Sequence, residues 1–202
     1  STPPPAVAGA IRARPKFDAA TARAQLFART RFDMGQVFKS PAYVVLLALG
    51  LFNSLGSLLF ADELFGTSVY PVTRAIISVL NGTFTLVPVL IAVYYAGELV
   101  WRERDRRTHE IIDATPTPDW AFVLPKTLAI SLVLISTIAI SAVAGMLMQA
   151  IKGYANFEVD KYLLWYLLPW SIDMILLAVL AVLAQAVSPH KFIGWGLMLV
   201  FI

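Results

Sequence analysis

Along most of this chain the apolar residues come in long unbroken runs, separated by short polar breaks. The first run covers roughly 42–60, the second 75–100 and the third 122–151. The fourth lies within 162–187, and a fifth begins at Phe192. A helix needs about 20 apolar residues to cross a hydrocarbon layer of about 30 Å, so each complete run is long enough. The pattern predicts an all-α fold, a polytopic transmembrane helical bundle with about five spans visible. Pro41 suits the first turn of the first span, where its missing N–H costs nothing. Pro88 predicts a kink in the second span. The third is long enough to tilt or to begin outside the bilayer. Trp165, Tyr166 and Trp170 form an aromatic belt at the start of the fourth.

Ahead of the first run the pattern changes. Residues 1–10 are rich in Pro and Ala and read as a linker. Residues 11–40 carry Arg12, Arg14, Lys16, Arg23, Arg29, Arg31 and Lys39, together with Leu26, Phe27, Phe32, Val37 and Phe38. Such a mixture predicts an amphipathic helix on a membrane surface. Residues 41–202 then form the membrane domain. The chain lacks a Met before Ser1, and Ile202 falls inside an apolar run, so it is expected to continue at both ends.

Composition supports this reading. Of 202 residues, 58% are hydrophobic and 14% charged, against about 45–50% and 25% in soluble domains. With no cysteine, the chain has no disulfide, thiolate zinc site, iron–sulfur cluster or cysteine nucleophile. The net charge of +3 is unevenly placed. Thirteen Lys and Arg fall before the first span, between the second and third, or after the fourth. Only Arg74, Lys152 and Lys161 fall on the other side. The positive-inside rule therefore puts the N-terminus and the 101–126 loop in the cytoplasm.

That loop carries the densest chemistry. Residues 97–126 read GELVWRERDRRTHEIIDATPTPDWAFVLPK. Helix formers and opposite-sign pairs four apart, Glu103–Arg107 and Arg106–Glu110, predict a short charged helix over 102–114. Pro116 ends it through its effect on Thr115. Thr117, Pro118 and Asp119 then suit the cap and first turn of a new helix. The result is a rigid knob suited to receiving force from a soluble partner, or simply a solvated charged hairpin.

The order Glu103, Arg104, Thr108, Glu110, Ile111, Ile112, Ala114, Thr115, Pro116 and, ten residues after that proline, Lys126 resembles the first cytoplasmic loop of ABC-2-type transporter permeases. Arg107, Asp113 and Pro125 depart from the residues common there. The wording is also similar to long bacterial permeases fused to an M1-type aminopeptidase-like domain. The resemblance implies a six-span intact domain in the bacterial inner membrane, with an exporter's function. It implies an ABC ATPase subunit as partner, holding ATP and Mg on that subunit, and a second permease half or a homodimer. It also implies a coupling helix, for which Glu103, Arg106, Glu110, Ile111, Ile112 and Pro116 are the expected residues.

Other motifs carry less. His109 to Asp113 imitates HExxH, but Asp113 stands where the second His must supply a metal nitrogen, and no third ligand is evident. No metal site, catalytic residue or cofactor is therefore expected on this chain. No Walker A loop occurs, so any ATP binds elsewhere. Acids interleave the arginines, which favours lipid or protein over nucleic acid as partner. Polar residues within the runs are few: Asn53, Asn81, Glu98, Gln149, Asp173 and Gln185. Glu98 sits near the interface, solvated or paired with Arg102. Asp173 is either a pathway carboxylate, costly in a span and therefore a functional candidate, or an interfacial residue. Two other functions remain in view. A secondary transporter or channel predicts more charges or paired broken helices in the membrane. The other is the membrane anchor of a fused M1-like metallopeptidase, whose activity would lie downstream.

Overall fold

The computed structural model of the chain describes residues 19–60, 70–105 and 120–201. All regular structure among them is helical. The elements are α1 (Ala19–Phe38), α2 (Pro41–Leu59), α3 (Thr73–Thr83), α4 (Leu86–Asp105) and α5 (Trp120–Ile151). They are followed by α6 (Val159–Lys161), a π-helical turn (Tyr162–Leu167), α7 (Leu168–Val187) and α8 (Lys191–Phe201). Three stretches are long and apolar enough to cross a membrane: Pro41–Leu59, Val123–Ile151 and Val159–Val187. The bent pair of α3 and α4, taken together, meets the same criteria of length and composition. The fifth apolar run is α8, described over 11 residues.

Helix α5, at 32 residues and about 1.5 Å per residue, exceeds the hydrocarbon thickness and accommodates Pro125 near its start. It lies against α1, α4 and α7, while α8 lies against α7 and α4. Leu80, Ile91, Leu99, Leu134, Ile138 and Met198 fill the space between helices. Outward-facing side chains are apolar as well, Phe52 being 81% and Val200 82% exposed. In water such a surface would mark an interface; on a membrane-spanning bundle it is the lipid-facing side. Helix α1 turns Thr30, Asp33 and Val37 inward, and leaves Phe27 and Phe32 outside.

The second span bends by 43° between α3 and α4. Pro88 was the expected kink, yet the chain breaks four residues earlier, at Phe84 and Thr85. Proline acts on the preceding turn, because it lacks the N–H that would reach the carbonyl four residues back, here that of Phe84. Val87 N–H takes that carbonyl instead, at 3.3 Å. The carbonyl of Thr83 is then served from α2, by Asn53 Nδ2 at 3.0 Å. Thr83 Oγ1 donates to Ser54 Oγ at 2.9 Å and contacts the Val79 carbonyl at 2.8 Å. Gly50 lets α2 approach the bend, since a Cβ there would collide with Val87 Cγ2 and lie 2.9 Å from Phe84 Cε2.

Replacement Asn53→Leu leaves the Thr83 carbonyl without its side-chain donor. Because Asn53 faces outward, toward lipid, no water replaces the lost donor, and stability is expected to fall by about 1–3 kcal/mol. Gly56→Ala on the same helix, with no atom within 4 Å of the new Cβ, should be neutral or slightly stabilising. Thermal unfolding of the two variants in mild detergent checks the contrast.

Candidate functional site

The last turns of α4 lead directly into residues 106–119, and they are clamped on two sides. On one side Arg102 reaches α1. Its Nη2 lies 2.6 Å from Asp33 Oδ1, its Nη1 donates to Gln36 Oε1, and its guanidinium carbon is 5.9 Å from the Phe32 ring centre. The Arg102 and Asp33 side chains are 15% and 8% exposed. In so dry a setting neither charge tolerates loss of the other. Glu98 and Trp101, within the preceding turn, reach other helices.

On that second side, α4 meets the corner between α7 and α8. Glu98 Oε2 accepts from Lys191 Nζ at 2.7 Å. Trp101 Nε1 donates to Gln185 Oε1 at 2.9 Å, and its ring lies 6.0 Å from that of His190. Gly97 is pressed against Trp195: a Cβ there would collide with Trp195 Nε1 and lie 3.3 Å from Gln185 Nε2. Tyr94 stacks on Trp195 one turn away, with ring centres 6.1 Å apart. The Glu98–Lys191 pair is part-exposed and adds little energy. The buried carboxamide of Gln185 and the close helix approach at Gly97 contribute more to holding the corner.

At the opposite end of the bundle a second buried carboxamide ties three elements. Gln149 accepts from Tyr162 OH at 2.8 Å and donates to the Pro71 carbonyl at 3.0 Å and to Thr73 Oγ1 at 3.4 Å. The π-helical turn puts Tyr162 and Tyr166 on the same inner side, where Tyr166 OH lies 2.7 Å from Ser141 Oγ. Glu158, just ahead of the stretch Val159–Val187, has its carboxyl held below the usual carboxylate range by the Lys161 ammonium and, after it, the Thr73 hydroxyl.

Of the residues singled out in the sequence, Glu98 pairs with Lys191 and not with Arg102, whose partner is Asp33. The sequence offered no means of pairing residues so far apart. Asp173 is exposed and lies fourteen residues from each end of the continuous run Val159–Val187. It therefore sits midway along that helix and not at its start. Trp170, one turn before it, donates to Asn81 Oδ1 at 2.7 Å. Lys126 is buried within α5. Glu103 lies in the last turn of α4, its side chain outside the described residues. Arg106, Glu110, Ile111, Ile112 and Pro116, like the His109–Asp113 imitation of a zinc motif, also lie outside them. Sequence reasoning missed Asp33, Gly97, Gly194 and Trp195. The one signal available was Gln185 itself, a carboxamide in an apolar run.

The family described as ABC-2 family transporter protein matches residues 34–201 of this chain. No curated protein and no solved structure matches it.

Asp33→Ala is expected to destabilise the protein by about 3–5 kcal/mol, because Arg102 is left charged and unpaired in a dry site. The double replacement Asp33→Leu with Arg102→Met removes both charges and should recover most of that loss. Denaturant unfolding of single and double variants, compared in one detergent, checks this.

Proposed function

The chain belongs to the ABC-2 transporter family, and on that premise we propose that it is the membrane-spanning permease through which a separate ATPase drives export. The observation that carries the proposal is the clamped end of α4. Arg102 binds α1, Trp101 binds α7, and Glu98 binds α8. A push on the segment that follows α4 therefore acts on three other helices together. That segment, residues 106–119, holds Glu110, Ile111, Ile112 and Pro116, which with Glu103 and Arg106 we assign to docking on the ATPase. ATP and Mg are bound by that partner. The distribution of Lys and Arg supports a cytoplasmic N-terminus and loop, in a bacterial inner membrane. In this arrangement α1 lies along the cytoplasmic leaflet, with Phe27 and Phe32 toward lipid and basic residues beside them.

The bend between α3 and α4 supplies a joint at which a span can change direction while Gln149 holds its far end. We place Asp173 on the substrate path, because an exposed carboxylate midway along an apolar helix is costly unless it faces water or a polar partner. A second permease half or a second copy of the chain would complete that path.

Purification of the intact protein from native membranes in mild detergent tests the proposal. An ATPase is expected to co-purify, and Glu110→Ala with Pro116→Ala is expected to weaken its retention by about 5–150-fold, the span of coupling free energies of about 1–3 kcal/mol. The level of the permease in the membrane should not change. Clean, folded protein without any bound ATPase would overturn the coupling role and favour a secondary transporter or a peptidase anchor.

A further inference from the structure

The corner where α4, α7 and α8 meet sets one buried carboxamide between two half-buried indoles. Gln185 is fully buried, and its carboxamide lies flat on the backbone of Gly194. A Cβ at Gly194 would collide with Oε1 and lie 2.5 Å from Cδ and 2.8 Å from Nε2. Oε1 accepts from Trp101 of α4. Nε2 points the other way, toward the same empty Cβ position of Gly97 that Trp195 Nε1 of α8 faces. Among the described residues, Gln185 Nε2 and Trp195 Nε1 are buried without a hydrogen-bond partner. Two buried donors thus lie beside the Cβ position that Gly97 leaves open, and an unmet donor is costly in a dry interior.

A half-turn of the carboxamide about its last bond exchanges the two ends. The oxygen would then accept from Trp195, and the Trp101 indole would lose this acceptor. In either orientation the carboxamide oxygen serves one of the two indoles. Gly97 and Gly194 carry no Cβ, which at either position would collide with these side chains. We propose that Gln185 is a positioning residue that passes its carbonyl oxygen between Trp101 and Trp195, holding α7 to α4 in one state and to α8 in the other. Such an element has two discrete arrangements that movement of α4 against α8 can bias. The inference deepens the coupling role proposed above, since Trp101 lies on the last turns before the loop, but the joint itself needs no ATPase to be observed.

The chain has five tryptophans, Trp101, Trp120, Trp165, Trp170 and Trp195, few enough for fluorine NMR. The full chain labelled with 5-fluorotryptophan, in lipid nanodiscs, should give two lines each for Trp101 and Trp195, with mirrored populations. Trp101→Phe should collapse the Trp195 pair to the hydrogen-bonded line. Gln185→Glu, whose carboxylate can accept from both indoles, should give a single line for each. One line for each indole in the unaltered chain, or a Trp195 signal indifferent to both Trp101→Phe and Gln185→Glu, overturns the proposal. If the paired lines are present but their ratio does not respond to the partner ATPase with ATP, the joint stands and the coupling role fails.

Discussion

Within hydrocarbon a backbone group that leaves its helix ladder finds no water, so every interruption of a span must be repaired from inside the protein. The bend between α3 and α4 is where this constraint is most exposed. Pro88 removes one donor, Val87 shifts to the carbonyl that donor would have served, and the displaced vacancy at Thr83 is filled by Asn53 of a neighbouring helix. The repair requires α2 to approach closely, which Gly50 permits. The position of α2, and with it the crossing of the first two spans, thus follows from how one proline is accommodated.

The same economy governs the two ends of the bent span. Each is held by a fully buried glutamine on a different helix, Gln149 at the start of α3 and Gln185 at the end of α4. A carboxamide suits the task because it donates and accepts at once and carries no charge to desolvate. At Gln149 both ends are satisfied, and the contact is a rigid tie. At Gln185 only the oxygen is satisfied among the described residues, and the contact is asymmetric. A span pinned firmly at one end and less firmly at the other, with a bend between, has the form expected of an element that moves at the less firmly held end. That end is also the one continuous with the charged loop.

The charged contacts divide by burial. Arg102 and Asp33 are dry and mutually dependent, so they fix α1 to the bundle. Glu98 and Lys191 are partly wet and contribute more to the register of α8 than to its stability. An amphipathic helix that the sequence suggests only as a surface element thereby becomes part of the load path proposed for the loop. Its inward face is carried by Asp33, a residue that the pattern of apolar positions does not distinguish from any other solvated acid.

By itself the sequence determined the all-helical membrane class, the approximate limits of the spans and the loop that carries the family resemblance. These are properties of composition, run length and short-range spacing, and they need no knowledge of which helices are neighbours. Tertiary structure alone decided that Asn53 of α2 serves the carbonyl freed at the Pro88 bend, that Arg102 selects Asp33 and leaves Glu98 to Lys191, and that Asp173 stands midway along a continuous helix. It also decided that Gly97, Gln185, Gly194 and two tryptophans form one joint. The pairings among them join residues dozens of positions apart. In apolar runs of nearly uniform composition, the pattern along the chain holds no information about which faces will meet.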